Sequence, residues 1–406
     1  MKRFSRRSLV KGGLASAGLG LLANGSFSSV LAAAPAQVGG RSEKELFNAA
    51  NLPSGGQLEI RMTTSAFDSD LDEVEVAERM SPFNPESWLV EWTRVAESNE
   101  RRAENFEKEG LKVSANEFYM RAARFYQRAV IYLPESEPRM LPTFNKLVDM
   151  YKRAWQMVPP PYERIEIPYE GKSLPAYFTK PRGSAGQRFP VVYAFGGADS
   201  GLVGGGFGAY TARGMAYMWL DGPGQGIPLR HRQIFAPPDS ERVAKVVVDY
   251  LVSRPDVDPN RIGIYGASIG GYTAPRCAAG ESRIAACGTN SAAYNLHDDI
   301  FEYYPPIRER LRWLTGSKDF VETKKKMAEF TMEGRADRIE CPLLLGYASD
   351  DRIMDPEGAY RLYKAATKSD RTMIDGMGHD PGRGRPKPVR GQIQADWFYK
   401  KLVAKS

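Results

Sequence analysis

The residues best suited to chemistry are a serine set between glycines, a late histidine and an aspartate between them in the chain. Gly266-Ala267-Ser268-Ile269-Gly270 follows the apolar run 262–265 and precedes a helix-compatible stretch. In that context the pentapeptide reads as a strand-to-helix turn, sharp enough to need glycine on both sides. Such a turn lifts the Ser268 hydroxyl to a helix N-terminus, where free amides and the dipole favour a developing negative charge. A serine hydroxyl is a weak nucleophile and needs a base steadied by an acid. Asp350-Asp351-Arg352-Ile353 follows the apolar run 343–347, and Asp351 is the preferred acid. Its spacing lets the carboxylate turn inward while Ile353 anchors the loop; Asp350 is the neighbouring choice and Asp355 a more distant rival. Of the three histidines only His379, in Gly376-Met377-Gly378-His379-Asp380, comes after that acid. It is the expected general base. For His231 and His297 a structural or surface role is the favoured reading.

A hydroxyl attacking a carbonyl also needs two amides aimed at the oxyanion. Ile269 is expected to supply one. Gly196-Gly197-Ala198-Asp199, directly after the apolar run 190–195, is expected to supply the other from Gly197 or Ala198. Other chemistries find less support. The run Gly204-Gly205-Gly206-Phe207-Gly208 lacks the Lys-Ser/Thr ending of a phosphate loop, and no C-x-x-C or H-E-x-x-H pattern suggests a metal. Cys277, Cys287 and Cys341 are an odd number at irregular spacing, so buried thiols acting as small hydrophobes are expected rather than a disulfide framework.

These side chains must be positioned by a scaffold whose periodicity changes along the chain. From 82 to about 158 it is helical: Trp88, Trp92, Val95, Ala96, Ala103 and Phe106 fall on one stripe. A second helix is expected to start at Ser114, where Ser114-Ala115-Asn116-Glu117 matches a capping box. A third, around 143–157, leads into Pro159-Pro160-Pro161, a stiff linker. The aromatic stripes in this region read as core. Beyond the linker, strands at 164–168 and 174–179 flank a turn at Glu170-Gly171, and further strands at 190–195, 217–220, 262–265, 284–287, 343–347 and 372–374 alternate with helices. That alternation implies crossover connections and a mainly parallel sheet covered on both faces.

The chain has 406 residues, 42% hydrophobic and 26% charged, an ordinary globular balance that argues against disorder and coiled coil. Its charge of +7 is concentrated at the start. Five of the 56 Lys and Arg (Lys2, Arg3, Arg6, Arg7 and Lys11) lie in the first 36 residues, which hold no acid; the remaining 51 face 49 acids. A near-neutral remainder removes the electrostatic case for nucleic-acid binding. The paired arginines, the short apolar run 12–23 and the small residues Ala32-Ala33-Ala34 and Ala34-Pro35-Ala36 have the order of an export signal. This segment resembles a twin-arginine (Tat) signal peptide. The expected division is therefore 1–36 signal, 37–80 a poorly specified lead-in, 81–160 a helical domain and 161–406 a catalytic domain.

With the motifs taken together, the chain resembles the α/β-hydrolase superfamily, and within it the branch of FrsA-like (DUF1100) esterases, fungal polyketide-shortening hydrolases and 2,6-dihydroxypseudooxynicotine hydrolase. The marks are the helical stretch from Ser114 to Ala122, Ile167-Pro168-Tyr169-Glu170-Gly171 with Leu174-Pro175-Ala176-Tyr177-Phe178, Asp221-Gly222-Pro223-Gly224-Gln225-Gly226, and Asp258-Pro259-Asn260-Arg261-Ile262-Gly263. The resemblance implies an α/β-hydrolase fold with a helical N-terminal domain over the sheet, the active site between them, and no metal or organic cofactor. Carried over by motif, Ser268, Asp351 and His379 form the triad. In one respect the chain departs: relatives usually continue the Gly-Pro-Gly-Gln-Gly turn with Glu, whereas Ile227 stands here. The resemblance leaves a separate acidic position to Asp298, Asp299 or Glu302, where a carboxylate could help protonate a carbanion leaving group.

The expectation is thus an exported serine hydrolase of the periplasm or the medium, cleaving an ester or a ketone-adjacent C–C bond in a small, aromatic or polyketide-like molecule. Tyr294, Asp298 and Asp299 are candidates for substrate contact. Phe301, Tyr303, Tyr304 and Trp313 fit either such a molecule or plain core packing. The expected partners are the substrate, the Tat machinery and signal peptidase, with a homodimer open and nucleic acid excluded. Two alternatives stand beside this reading: a small-peptide or amide hydrolase of the serine peptidase type, and a non-catalytic binding protein on a hydrolase scaffold.

Overall fold

A computed structural model of the chain describes residues 71–404, apart from 82–83, 132, 158–161, 184–185, 200, 202–206 and 380–386. The expected export signal at 1–36 and most of the lead-in lie outside the described residues. The last part of that lead-in is a helix, α1 (Leu71–Arg79), with Asp72 and Glu73 in its first turn and Arg79 in its last, charges that suit the dipole at each end. Sequence inspection missed it because it is short and rich in charge.

Three longer helices follow: α2 (Pro85–Lys108), α3 (Lys112–Val130) and α4 (Met140–Met157). Asn84 caps α2 by accepting from the amides of Glu86 and Ser87 at 3.0 and 3.2 Å, with Pro85 in the first turn. The stripe Trp88, Trp92, Val95, Ala96 and Ala103 is buried against α3, where the Trp92 and Phe125 rings lie 5.7 Å apart. The capping box does not open α3. Gly110, at φ +76°, closes α2 with the Leu111 amide bonded to the Phe106 carbonyl at 2.8 Å, so the next helix begins at once. Ser114 therefore lies inside α3, and Asn116 donates to the Ala154 carbonyl of α4 at 2.6 Å.

Among the described residues the sheet has eight strands: β1 (Glu163–Tyr169), β2 (Lys172–Thr179), β3 (Phe189–Phe195), β4 (Ala216–Leu220), β5 (Val257–Ala267), β6 (Ile284–Asn290), β7 (Leu343–Gly346) and β8 (Arg371–Ile374), in the order β1-β2-β4-β3-β5-β6-β7-β8. The β1–β2 and β2–β4 pairs are antiparallel and the others parallel. Glu170 and Gly171, both at positive φ, make the β1–β2 turn. Every residue of β3, β4 and β7 is buried, as a sheet covered on both faces requires. The covering helices include α5 (Phe207–Thr211), α6 (Gly226–Arg232), α7 (Glu241–Ser253), α8 (Gly270–Gly280), α9 (Arg308–Leu314), α10 (Phe320–Met327), α11 (Pro356–Ala365) and α12 (Lys387–Leu402), with a π-helical turn at His297–Glu302. This is the α/β-hydrolase fold. The α2–α4 layer shares a core with the sheet, and Trp155 of α4 meets Tyr177 of β2 edge-on at 4.1 Å. All three cysteines are free thiols; Cys277 and Cys287 are buried and Cys341 is half-buried.

Candidate active site

The elbow after β5 is built by close approach of backbones. A Cβ on Gly266 would lie 1.9 Å from the Gly270 carbonyl oxygen, and one on Gly270 would lie 2.9 Å from that of Phe195. No side chain fits either position. Ser268 itself sits at φ +59°, a left-handed conformation that costs a non-glycine residue on the order of 1–3 kcal/mol. Its amide is held by the Asn290 carbonyl of β6 at 2.9 Å, and its own carbonyl accepts from Gly271 at 2.7 Å. The hydroxyl consequently projects from the C-terminal edge of the sheet, where open α/β sheets carry their sites.

Two loops from neighbouring strands meet it there. His379, beyond β8, places Nε2 2.8 Å from Ser268 Oγ. Asp351, beyond β7, places Oδ2 3.1 Å from His379 Nδ1 and accepts the His379 amide at 2.8 Å. Its Oδ1 accepts the amides of Ile353 and Met354 at 2.9 and 3.0 Å, and its carbonyl accepts the Tyr303 hydroxyl at 2.8 Å. Burial acts to raise the Asp351 carboxyl, but the neighbouring His379 and these amides outweigh it and hold the group below its ordinary value. An ionised carboxylate behind an imidazole, with a hydroxyl in front, is an arrangement that can draw off the hydroxyl proton. Asp350 and Asp355 are not in this line, and Asp355 instead caps α11 through the Glu357 amide at 2.9 Å. Ile353 is only half-buried; the buried anchor of the acid loop is Met354, because the turn that delivers both amides to Oδ1 points Met354 inward.

On the oxyanion side, a Cβ on Gly197 would lie 2.8 Å from Ser268 Cβ and 3.1 Å from Oγ, so the loop after β3 runs beside the nucleophile. Ala198, which follows Gly197, and Ile269, which follows Ser268, are both buried. Gln225 holds this loop. Its Nε2 donates to the carbonyls of Gly196 at 2.7 Å and Gly197 at 2.9 Å, while Oε1 accepts the Gly222 amide at 3.2 Å. Asp199 on the same loop faces Arg310 Nε at 3.4 Å. Arg310 also binds Glu135, which accepts from Arg230 Nε and Nη2 at 3.0 and 2.7 Å. This buried cluster ties the helical layer (Glu135) to the oxyanion loop.

The remaining sequence candidates lie elsewhere. Tyr294, Asp298 and Asp299 gather around Arg361: its guanidinium stands 5.4 Å from the Tyr294 ring, 3.4 Å from Asp298 and in direct contact with Asp299. Asp299 is fully buried, and its Oδ2 accepts the amides of Tyr294 and Asn295 at 2.7 and 2.9 Å. Burial pushes it up to about 6. These contacts brace the loop after β6 against α11, and they run to Arg361 rather than to Ser268 or His379. Glu302 bonds Arg308 and Lys324. His231 is exposed beside Phe144, and His297 bonds Asp298 at 2.8 Å. Phe301 and Tyr304 are core residues, Trp313 donates to Glu309, and Ile227 is buried. Among the described residues no group of three or more His, Cys, Asp or Glu side chains could hold a metal ion.

Sequence reasoning gave no role to three residues at the site. Gln225 lay within a motif, and an amide in a Gly-Pro turn after a strand was its only signal. Ser291, after β6, and Arg390 of α12, which donates to the Gly378 carbonyl beside His379, had none.

Comparison with known proteins agrees with the fold. The family model for FrsA-like esterases matches residues 56–301, and that for the prolyl oligopeptidase family matches 242–404. The chain is 33% identical to 20-hydroxy-prefusarin hydrolase FUS2 of Gibberella moniliformis, over 69% of this chain and 78% of that one. It is 27% identical to hydrolase LUC6 of a Fusarium species, over 69% and 78%. Among solved structures, 2,6-dihydroxy-pseudo-oxynicotine hydrolase superposes with a TM-score of 0.72 at 25% identity, covering 84% of this chain and 95% of that one.

Proposed function

The chain belongs to the FrsA-like esterase family and is an α/β-hydrolase enzyme, and from that premise we propose that it works as a serine hydrolase through Ser268, His379 and Asp351. His379 Nε2 takes the Ser268 proton as Oγ attacks the substrate carbonyl. Asp351 holds the imidazole and balances its charge. The amides of Ile269 and of Gly197 or Ala198 receive the oxyanion. The imidazolium then returns its proton to the leaving group, and a water activated by the same base releases the acyl chain. The observation that carries this reading is the unbroken run of hydrogen bonds from Ser268 Oγ through His379 to Asp351, at 2.8 and 3.1 Å.

The bond cleaved is an ester or a C–C bond beside a ketone, in a small organic molecule of the aromatic or polyketide-like kind. The names of the relatives, a prefusarin hydrolase and a pseudo-oxynicotine hydrolase, support a substrate of that size. In C–C cleavage His379 is the proton source, since Asp299 is committed to backbone amides and Arg361. A small-peptide or amide substrate is the second reading, favoured by the prolyl oligopeptidase family match over 242–404. Residues 1–36 are proposed as a Tat signal that sends the enzyme to the periplasm or beyond.

A fluorophosphonate probe should label the purified protein and fail to label Ser268→Ala. A wild-type protein left unlabelled would overturn the reading. Turnover of p-nitrophenyl esters, aminoacyl anilides and β-diketones then separates the bond types. Export is tested by the N-terminus of the mature protein, which should begin near residue 35 or 37 and remain unprocessed when Arg6 and Arg7 are both replaced by Lys.

A further inference from the structure

One hydroxyl touches the acid and the base together. Ser291 follows directly on β6, buried, with Oγ 3.1 Å from His379 Nδ1 and 3.3 Å from Asp351 Oδ2. Those two atoms are themselves 3.1 Å apart, so the three form a nearly equilateral triangle. The Ser291 backbone is fixed on both sides. Its amide donates to the Met377 carbonyl at 3.0 Å, and its carbonyl oxygen presses so close to Gly271 that a Cβ there would lie 2.1 Å away. Its φ of +57° is a strained value for serine. A strained backbone, pinned by the histidine loop and by the helix of the nucleophile, thus aims one polar group at the acid–base pair.

We propose that Ser291 is a positioning residue for His379, an assignment that rests on the serine-hydrolase reading above. A hydroxyl has one proton and two lone pairs. Ser291 donates its proton to Asp351 Oδ2 and shares the imidazole Nδ1–H with that same oxygen. The shared hydrogen bond keeps the ring turned so that Nε2 meets Ser268 Oγ. The donated one draws off part of the carboxylate charge that would otherwise be concentrated on the imidazolium. Among the described residues, the ionisable groups that reach the pair are Tyr303, whose hydroxyl donates to the Asp351 carbonyl at 2.8 Å, and Arg390, which comes from α12 through the Gly378 carbonyl. Both remain when Ser291 is changed.

The test uses Ser291→Ala and Ser291→Gly in the full chain, with kcat, KM, the pH profile of kcat/KM and the melting temperature measured on one p-nitrophenyl ester. Glycine accepts the positive φ without strain, so Ser291→Gly removes the hydroxyl while keeping or improving the fold. Both variants should lose roughly tenfold in kcat, the loss typical of one charge-assisted hydrogen bond, with KM unchanged. The acid limb of the profile should move to higher pH, because Asp351 keeps more charge for the protonated ring. A Ser291→Gly protein with wild-type kcat overturns the assignment, and so does one whose kcat falls while the acid limb stays in place. Fluorophosphonate labelling of the wild type is independent of both variants, so its absence would count against the triad itself and not against Ser291 alone.

Discussion

Glu135 holds two arginines together in a space closed to water, and removing its charge should be costly. The Glu135, Arg230 and Arg310 side chains are 9%, 8% and 8% exposed, and with Asp199 they make a neutral set of two cations and two anions. Glu135→Gln keeps the shape but leaves Arg230 and Arg310 as close like charges, with Asp199 the carboxylate still in contact with Arg310, at 3.4 Å. Arg230 is held below its ordinary value by burial even with Glu135 opposing that effect. Breaking a buried pair from one side costs about 3–5 kcal/mol. For a domain of this size that corresponds to about 4–7 °C in Tm. Thermal unfolding followed by circular dichroism measures it. Glu86→Gln, which breaks a well-formed but exposed bidentate pair with Arg139, is the control and should melt close to wild type. The same Glu135 variant should lower kcat, because Arg310 links that carboxylate to the oxyanion loop. A Glu135→Gln protein melting within about 1 °C of wild type would refute the claim that the cluster is desolvated.

Other consequences are open to direct measurement. Gly197→Ala places a methyl 2.8 Å from Ser268 Cβ and should cut kcat by roughly 100-fold or more, the scale of losing an oxyanion donor, with little change in Tm. Ser268→Gly should abolish turnover yet raise stability by about 1 kcal/mol by relieving the φ of +59°, as urea unfolding would reveal. Asp221, wholly buried at the end of β4, is pushed up to about 7, chiefly by burial. Its folded form therefore holds a proton that the unfolded chain releases near 3.8, so its stabilising effect is present at low pH and fades as pH rises through about 7. The displacement corresponds to on the order of 4 kcal/mol at most. Asp221→Asn should accordingly stabilise the protein more at pH 8.5 than at pH 5.5 in paired thermal melts, and an equal effect at both would count against a buried, protonated carboxyl.

What could be read from the chain divides by the range of the force involved. The elbow was legible because part of its constraint is local: the Gly270 carbonyl excludes a side chain at Gly266, four positions earlier, although Gly270 itself is confined by Phe195 across the sheet. The buried strands were legible because two-sided burial leaves an unbroken apolar run, as in β3 and β7. The named serine, histidine and aspartate are also the three that the fold brings into hydrogen-bond reach, their order in the chain being that of the strands which carry them. The start of α3 was misread because a Gly110 turn two residues upstream competes with the capping box and wins. Ile353 and Met354 exchanged roles because a loop turn, not spacing, decides which side chain faces in. Gln225 had only its place in a Gly-Pro turn to mark it, and Ser291 had nothing. The partners that matter at the site lie 28 to 29 positions from Gln225 and 60 to 88 from Ser291, and no local pattern in an amide or a hydroxyl announces such a contact.

The three unbridged thiols have a consequence for where this protein can mature. Nothing in the packing of Cys277, Cys287 or Cys341 waits for an oxidant, so the native state is equally attainable under glutathione or in its absence. The enzyme needs no disulfide isomerase, and a reductant in the medium should neither inactivate nor unfold it.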